Sequence, residues 1–521
     1  MIDVHSALVA RSRISPGAVR ELSGGTMPKS FDVLVIGGGG AGYAAASTAA
    51  RRGKRVAMAE RWKLGGTCLN VGCVPTKALL RSAHVAETIR RAAEFGIDVD
   101  GWKPDYPRII ARARSIIDAF SGEGPEASLA SQGITLLTGS VKFVSPHEVD
   151  CDGERYAAER FVIASGSTSQ IPSLPGLDDV PYLTSDQALW LETLPRSAVI
   201  IGGGIISCEF ASLWAALGAE VTIVSRRLLS GEDPEVGEAL RTAFEARGIR
   251  FVGGRAVGLE RINGRPGARV KTGEDAELTL TADVLLMATG RQPLFHDLNL
   301  EAAGVQTGER GIVVDDSMRT SAPHIWAAGD VTGRHMFTHA GDYAAEVAGW
   351  NAAGGEPERA VDWRVVPRPV YAIPEVAAIG LVESEARRQG LDIEVASVCY
   401  ADVTRAVLEG APEGFAKIIA ERSTGQILGA SIVGAQACEL IGEVAVAMAG
   451  RVSAWAVGDT QHPYPTLSEV VRWAADQIGK TSRPDGDQAA GQPVAREHAH
   501  PLGFWPTEGS QGRAVEHATG T

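Results

Sequence analysis

The sequence has few cysteines, few aromatic residues and no long apolar run. Six of its 521 residues are cysteine and 6% are aromatic. Four of the cysteines are widely scattered and lack zinc-ligand spacing: Cys151, Cys208, Cys399 and Cys438. No stretch of about 18 apolar residues occurs, so we expect no spanning helix and no membrane partner. The chain has 50 basic and 63 acidic residues, and this acidic balance argues against nucleic acid as a partner.

The abundant residues are typical of an α/β enzyme with several domains. The chain contains 61 glycines and 45% hydrophobic residues, a composition that suits many tight turns around large cores. Residues 1–30 carry three arginines but lack the apolar core of a secretory signal. We therefore expect a cytoplasmic protein whose first residues form a flexible leader or precede a true start at Met27.

A cysteine pair in Gly65–Lys77, GGTCLNVGCVPTK, is the central motif. Cys68 and Cys73 precede a helical pattern, and on one helix we expect this spacing to turn both sulfurs toward nearly the same face, close enough to bridge. A helix N-terminus would also lower a thiol pKa. The alternative is two small buried hydrophobic residues. The neighbouring glycines, which permit close approach of a planar ligand, favour a redox-active pair.

The segment Phe31–Glu60 has the pattern of a dinucleotide-binding unit. An apolar strand leads into Gly37, Gly39 and Gly42 in the spacing G-x-G-x-x-G, followed by a helix of small residues and a second strand. Glu60 lies 18 residues after the third glycine, where an acid binds a ribose hydroxyl. An ordinary glycine-rich turn is the alternative, but the strand and helix on either side favour pyrophosphate binding at the helix N-terminus.

A second unit of the same kind runs from Ser197 to Arg227. Its glycines are Gly202 and Gly204, and Ser207 takes the third position, where a small residue suffices for helix–strand packing. At the offset of Glu60 this unit has Ser225, followed by Arg226 and Arg227. Because arginine accommodates a 2′-phosphate, we predict NADPH rather than NADH. The alternative is a solvated arginine pair at a strand end.

The cysteine motif resembles the redox-active disulfide of the class I pyridine nucleotide-disulfide oxidoreductases, and similar motifs extend from Phe31 to Ile478. The resemblance implies FAD in the first nucleotide site, Cys73 against the flavin as the charge-transfer thiolate, and Cys68 facing the substrate. It also implies that Lys77 lies near the flavin and pairs with Glu209, and that Asp330 binds the ribityl chain. The implied FAD residues are Gly37, Gly39, Gly42, Glu60, Gly66, Thr67, Lys77, Gly166 and Asp330, and the implied NADPH residues are Gly202, Gly204, Ser207, Glu209, Ser225, Arg226, Arg227 and Gly290.

The fold implied by the resemblance is α/β, with two Rossmann-like dinucleotide-binding domains and a C-terminal α+β dimerisation domain. A homodimer is expected, in which each active site is completed by the partner subunit. The predicted boundaries are a leader at 1–30, the FAD domain at 31–165 and 283–350, the NAD(P)H domain at 166–282, the interface domain at 351–480, and a disordered tail at 481–521.

The segment Gln461–Val471, QHPYPTLSEVV, departs from the disulfide reductases of the family. Those enzymes have a histidine before Pro-Thr, and a glutamate five residues later orients it as the acid and base for the substrate thiol. Here Glu469 is present, but Tyr464 takes the histidine position. Tyrosine is a poor base at neutral pH. His462, on the same side of an extended segment, is the candidate replacement.

In having tyrosine at this position the chain resembles mercuric reductases. Those enzymes also have a second active-site tyrosine, in a sequence similar to Pro181–Ser185, where this chain has Tyr182. Core packing is the alternative for both tyrosines. The tail lacks the vicinal cysteines of mercuric reductases, and no structural metal site is predicted. We predict electron transfer from NADPH to a small-molecule or metal-ion acceptor, foremost a soft ion such as Hg(II) at Cys68 and Cys73. The alternatives are a dihydrolipoamide dehydrogenase-like reductase using His462 and a redox-sensing flavoprotein of low turnover.

Overall fold

The structure is a computed structural model that describes residues 29–121, 124–273 and 276–479. The predicted tail and all but the end of the predicted leader lie outside these residues. The described chain divides into two compact units. The first runs up to Arg227 and resumes at Glu245–Trp363, and the second combines Leu228–Phe244 with the chain from Arg364 onward.

The described residues contain fourteen α-helices, numbered α1 to α14 in chain order. The helices are α1 (Gly40–Arg51), α2 (Gly66–Val71), α3 (Cys73–Arg90), α4 (Tyr106–Ser121), α5 (Pro125–Ser131), α6 (Ser185–Ala188), α7 (Ile205–Ala216), α8 (Pro234–Ala246), α9 (Thr338–Ala352), α10 (Glu383–Arg388), α11 (Thr404–Leu408), α12 (Ala437–Ala449), α13 (Ala454–Asp459) and α14 (Glu469–Gln477). Single 3-10 turns lie at Ala92–Phe95, His296–Leu298, Leu300–Ala303, Gly329–Thr332 and Tyr400–Asp402.

The strands of the described residues form six sheets. They are β1 (Lys29–Ile36), β2 (Val56–Glu60), β3 (Thr135–Thr138), β4 (Val141–Ser145), β5 (Glu148–Cys151), β6 (Glu154–Ile163), β7 (Ser167–Ser169), β8 (Ser197–Ile201), β9 (Glu220–Ser225), β10 (Arg250–Gly253), β11 (Arg255–Ile262), β12 (Arg265–Lys271), β13 (Glu277–Thr281), β14 (Val284–Met287), β15 (Arg291–Pro293), β16 (Thr307–Gly308), β17 (Gly311–Ile312), β18 (Ile325–Ala327), β19 (Arg368–Val370), β20 (Glu375–Gly380), β21 (Ile393–Cys399), β22 (Phe415–Glu421) and β23 (Ile427–Gly434).

The first sheet has the order β3-β2-β1-β6-β5-β4, and β18 also pairs with β6. The pairs β3–β2, β2–β1, β1–β6 and β6–β18 are parallel. The run VLVI at the end of β1 is fully buried, as expected of a central parallel strand covered on both faces. Helices α1 and α9 contact each other closely through small residues, since a Cβ on Gly349 would overlap the backbone of Ala45. The parallel arrangement directs the loops after β1 and β2 to one edge of the sheet.

The second sheet is parallel throughout, in the order β10-β9-β8-β14. Its strands pack with the antiparallel sheet β11-β12-β13 around a core that includes Val199, Ile201 and Leu285. β14 lies beyond the predicted boundary at 282/283, because Val284–Met287 is an apolar run that pairs with β8. The return toward the first sheet therefore begins at Ala288, and β15 pairs with β7.

The second unit is built on a five-stranded antiparallel sheet, β19-β20-β23-β22-β21. One large apolar core lies between this sheet and helices α12, α13 and α14, and it contains Tyr400, Ile432 and Trp455. The molecule thus has the predicted fold class, with two Rossmann-like regions and a C-terminal α+β region.

The second unit also contains Leu228–Phe244, which the sequence assigns to the nucleotide-binding domain at 166–282. The physical reason is a set of ion pairs. Lys417, 3% exposed, contacts Asp233 at 3.0 Å and Glu383 at 2.8 Å, and also Glu235. The guanidinium of Arg368 binds both carboxylate oxygens of Glu232 at 2.8 Å. These contacts fix the segment within the second unit.

Among the described residues, no helix combines the length and apolar character needed to cross a membrane.

Candidate redox active site

The two cysteines lie on consecutive helices rather than on one. Cys68 belongs to α2 and Cys73 is the first residue of α3, with Gly72 between the helices. Five residues on a continuous helix would turn the sulfurs about 140° apart, so the expectation of a shared helical face was wrong. A Cβ at Gly72 would lie 2.8 Å from the carbonyl oxygen of Thr67. Glycine therefore permits the break that brings the two thiols together.

The surroundings of the two thiols give them different pKa values. The Cys68 thiol donates to Cys73, and this hydrogen bond is the main cause that raises the pKa of Cys68 and lowers that of Cys73 to about 6. Thr338, the first residue of α9, lies with its hydroxyl 3.4 Å from the Cys73 sulfur. Both this hydroxyl and the nearby Lys77 ammonium lower the pKa of Cys73 further. Cys73 is therefore the thiolate of the reduced pair at neutral pH.

Lys77 and Glu209 meet in an ion pair. Lys77 Nζ lies 2.7 Å and 2.9 Å from the two carboxylate oxygens of Glu209, and Glu209 is only 4% exposed on α7. A buried carboxylate of this kind is costly without a cation. The pair joins the helix that starts with Cys73 to the helix of the second nucleotide unit.

Replacing Thr338 by valine is expected to raise the pKa of Cys73 by about one unit, because the thiolate loses one hydrogen bond to a charged acceptor. The fraction of thiolate at pH 6 would then fall. The measurement is the ultraviolet thiolate absorbance of the dithiol-reduced protein as a function of pH. Thr338→Ser keeps the hydroxyl and should titrate like the parent. Identical curves for the valine and serine variants would show that the hydroxyl has no effect on the thiolate.

The glycine-rich loop after β1 fits a dinucleotide. A Cβ on Gly42 would overlap the carbonyl oxygen of Gly37, and a Cβ on Gly66 would lie 2.9 Å from the Cα atom of Gly39. Gly39 and Gly65 form a parallel bridge. Because of these close approaches the loop residues at the amino end of α1 carry no side chains of their own, which is the arrangement that admits a pyrophosphate. The same contacts place the cysteine helices directly beside the loop.

Glu60 ends β2 at the predicted position. One of its carboxylate oxygens accepts from the Gly38 amide at 2.6 Å and the other from the Trp62 amide at 2.7 Å. These bonds hold the carboxylate next to the glycine-rich loop, where it can receive ribose hydroxyls.

Asp330 lies in the 3-10 turn after β18 and is positioned by its neighbours. It accepts a hydrogen bond from the hydroxyl of Ser167, and Arg291 donates to the same hydroxyl at 2.8 Å. Gly166 and Gly290 have the left-handed φ values of +76° and +126° at the two crossings between the sheets. The residues around the first loop therefore fit FAD, and Asp330 would contact its ribityl chain.

The glycine-rich loop after β8 has the same pattern as the first loop, except that Ser207 replaces the third glycine. Gly202 has a φ of +124°, Gly204 precedes the first residue of α7, and no atom lies within 4 Å of a Cβ placed on Gly204. Ser207 is fully buried, and its hydroxyl has no hydrogen-bond partner among the described residues. A serine is accommodated at the third position because its small side chain lies against Gly202.

Ser225 ends β9 where Glu60 ends β2, and its hydroxyl donates to the carbonyl of Arg227 at 3.0 Å. No carboxylate stands at the strand end. Arg226 and Arg227 are both exposed there. Guanidinium groups at this position can receive a 2′-phosphate.

Tyr464 lies in the second unit and is 44% exposed. Its hydroxyl lies 3.4 Å from that of Thr404. Glu469, buried at the start of α14, accepts from the backbone amide of Thr466 at 3.3 Å. The tyrosine ring thus offers a polar tip at the surface of the unit, while Glu469 supports the turn that carries it.

His462 is enclosed and has both ring nitrogens engaged. Nε2 lies 2.7 Å from a carboxylate oxygen of Glu443, and Nδ1 lies 3.1 Å from the carbonyl oxygen of Thr460. Both partners are acceptors, and the hydrogen bond to Glu443 favours the protonated form of the ring. Glu443 accordingly raises the pKa of His462. Both ring nitrogens are thus occupied by acceptors of the protein in this arrangement.

Tyr182 is half-buried and packs against the core of the second sheet. The structure describes no contact between Tyr182 and either cysteine of the pair. This position matches the core-packing alternative, so a catalytic role for Tyr182 rests on the resemblance alone.

Sequence reasoning missed two side chains at the site, Thr338 and Asp342. Both lie on α9, about 270 residues after the cysteines, and only the packing of α9 against α1 brings them to the site. Among the described residues, no cluster of three or more His, Cys, Asp or Glu side chains could hold a metal ion.

Comparison with known proteins agrees with this arrangement. The model of the pyridine nucleotide-disulphide oxidoreductases matches residues 31–345, and that of their dimerisation domain matches residues 366–475. A dihydrolipoyl dehydrogenase from Chlamydia muridarum is 36% identical over 466 residues, which cover 87% of this chain and 97% of that protein. A mercuric reductase from Shigella flexneri is 37% identical over 463 residues, covering 87% of this chain and 81% of that protein.

A solved structure provides a third comparison. It is the Cu(II) complex of the HOCl-induced flavoprotein disulfide reductase RclA from Escherichia coli, with 29% identity and a TM-score of 0.76. The match covers 87% of this chain and all of that one. Together with the cysteine pair and the two nucleotide loops, these matches show that the chain belongs to the pyridine nucleotide-disulphide oxidoreductase family, as a class I FAD-dependent enzyme that uses a pyridine nucleotide.

Proposed function

We propose that the enzyme passes two electrons from NADPH to a soft metal ion held by Cys68 and Cys73, in the manner of a mercuric reductase. The observation that carries this proposal is the pair of residues Tyr464 and His462. Tyrosine occupies the position of the acid–base histidine, and both ring nitrogens of the neighbouring, half-buried His462 are hydrogen-bonded, one to Glu443 and one to Thr460. Reducing a disulfide releases a thiol that needs a proton, whereas reducing a metal ion does not.

The reduced cysteine pair supplies both electrons that a divalent metal ion requires. Bound FAD supplies two-electron transfer between the nicotinamide and the pair. Cys73 is the thiolate of the reduced pair, and Cys68 loses its proton when the metal ion binds. That proton goes to a thiolate displaced from the incoming metal complex. Both metal–sulfur bonds then break as each sulfur gives one electron, a Cys68–Cys73 bond forms, and the divalent ion is reduced to the element. Thiolates are the preferred ligands of soft ions, which supports this choice of acceptor.

The choice of NADPH rests on the end of β9. The first loop has a carboxylate at this position, Glu60, and the second has Ser225 with two exposed arginines after it. A carboxylate would repel a 2′-phosphate, and guanidinium groups attract it. We therefore infer that Arg226 and Arg227 select NADPH over NADH.

The dimerisation domain supports a homodimer. We infer that Tyr464 of one subunit serves the cysteine pair of the other, as the resemblance implies, with its hydroxyl directed to a bound ion. A tyrosine oxygen can bind a cation without titrating.

A disulfide reductase similar to dihydrolipoyl dehydrogenase is the second candidate function, favoured by the 36% identity to that enzyme from Chlamydia muridarum. For this activity His462 would have to leave Glu443 and deliver a proton. The cost of breaking a buried charge-assisted hydrogen bond, about 1.5–3 kcal/mol, opposes it.

Stopped-flow mixing tests the proposal. The holoenzyme is reduced without oxygen by one equivalent of NADPH, or of NADH for comparison, and mixed with Hg(II) in excess thiol or with lipoamide. We expect faster reduction by NADPH, then fast flavin reoxidation by the metal complex and slow reoxidation by lipoamide. Tyr464→Phe should slow the metal reaction by roughly tenfold, since one hydroxyl contact is lost.

The control is His462→Gln, which should leave the metal reaction unchanged. Fast reoxidation by lipoamide that this variant abolishes would establish the second candidate function instead. Slow reoxidation by both acceptors would contradict both reductase functions and favour the third alternative, a redox-sensing flavoprotein of low turnover.

A further inference from the structure

Asp342 lies at the amino end of α1, where the first dinucleotide loop ends. It belongs to α9, one turn after Thr338, on the side that packs against α1. Its Oδ1 atom is 2.6 Å from the position that a Cβ on Gly40 would occupy. This oxygen is buried, and no described residue makes a hydrogen bond to it. The loop thus has an acid at the same helix end that its glycines keep clear for a dinucleotide.

The charges around Asp342 make its anion unfavourable. Burial is the main cause that raises the pKa of Asp342 to about 6. His339, one residue into the same helix, opposes this shift, whereas Glu346 and the Cys73 thiolate add to it. The residues that α1 presents here, Gly40 and Ala41, carry no charge. The anion of Asp342 therefore has two anions near it, and its Oδ1 atom has no hydrogen-bond partner among the described residues.

We propose that Asp342 takes up one proton when FAD binds and remains a neutral carboxylic acid beside the anionic part of the dinucleotide. This inference depends on the assignment of FAD to the first loop, and it does not depend on the identity of the electron acceptor. The amino end of a helix attracts a pyrophosphate, and a carboxylate at that end repels it. The neutral acid removes the repulsion and provides an O–H donor where the carboxylate has none.

Proton uptake makes FAD affinity depend on pH. The free protein has a pKa near 6 at Asp342, and the phosphates of FAD raise it in the complex. Well below pH 6 the acid is protonated in both states, so affinity is constant. Above pH 6 binding consumes a proton, and the dissociation constant of FAD rises about tenfold for each pH unit. The rise ends at the pKa of the complex.

Flavin release from the oxidised holoenzyme measures this dependence. The holoenzyme is diluted at a series of pH values, and free FAD is quantified by its fluorescence, which gives the dissociation constant. The Cys68–Cys73 bond is closed in this form, so neither thiol titrates. We expect the tenfold rise per pH unit between about pH 7 and 8 for the parent. Asp342→Asn should show less than about a twofold change over that range and bind FAD more tightly than the parent at pH 8.

Glu346→Gln is the matched control, because it removes the exposed carboxylate one helical turn further along α9. It should retain the slope of the parent, as should His339→Gln, which removes the nearby titrating imidazole. Equal slopes for the parent and Asp342→Asn would overturn the proposal. Should the asparagine variant fail to fold, calorimetry of FAD binding to the deflavinated parent in buffers of different ionisation enthalpy decides the matter. Uptake of nearly one proton supports the proposal, and uptake of none contradicts it.

Discussion

Cys68→Ser is expected to lower turnover with every two-electron acceptor by about 10³-fold or more, since a residue that forms the covalent bond of the cycle is lost. Serine cannot form the bond to Cys73, so the pair has no electrons to give. Cys73 still lies at the start of α3 with Thr338 and Lys77 beside it. Reduction of the flavin by NADPH is therefore expected to persist at nearly the parent rate.

The two half-reactions are separated by following flavin absorbance after NADPH addition and then after acceptor addition. Cys399→Ser is the matched control, because Cys399 is also an accessible thiol but lies at the end of β21 in the second unit. It should leave both half-reactions unchanged. A Cys68→Ser enzyme that turns over at more than about a tenth of the parent rate would contradict a disulfide-forming cycle.

Lys417→Met is expected to destabilise the second unit by about 3–5 kcal/mol, the usual cost of removing one partner of a buried ion pair. Methionine fills a similar volume, but it leaves Asp233, 2% exposed, without its cation. The measurement is the urea midpoint of unfolding, followed by tryptophan fluorescence in the holoenzyme and its variants. A lower midpoint with an unchanged slope is the expected result.

Arg422→Met is the matched control, since the pair of Arg422 with Asp392 is exposed to solvent and should contribute about 1 kcal/mol or less. Adding Asp233→Leu to Lys417→Met should recover part of the lost stability, because no uncompensated buried charge remains. Equal midpoints for the Lys417 and Arg422 variants would show that the buried cluster has no special role.

Local features of the site could be predicted from the sequence. The glycine-rich loops, Glu60 and the exposed arginines after Ser225 each depend on residues close together in the chain, where turn geometry and strand ends follow from residue type. The pairing of Lys77 with Glu209 was also predicted, from a resemblance and the cost of a buried lysine. These contacts are present in the structure.

Features that depend on packing between distant segments could not be predicted. Thr338 reaches Cys73 only because α9 packs against α1 through small residues. The engagement of His462, which lies between α13 and α14, depends on Glu443, 19 residues earlier on α12. The break between α2 and α3 at Gly72 was not predicted, because a single glycine between two helical patterns does not by itself indicate a break. Glycine is required there because a Cβ would clash with the backbone of Thr67.

The assignment of Leu228–Phe244 to the second unit has a consequence for protein synthesis. Asp233 precedes its partner Lys417 by 184 residues. At about 5–20 residues per second, roughly 10–40 seconds pass between their emergence from the ribosome. During that interval Asp233 and helix α8, which carries Glu235, have left the ribosome. Strand β22, which carries Lys417, has not yet been made. The second unit therefore cannot complete its folding in the order of translation, and it must recruit a segment that emerged long before its own sheet.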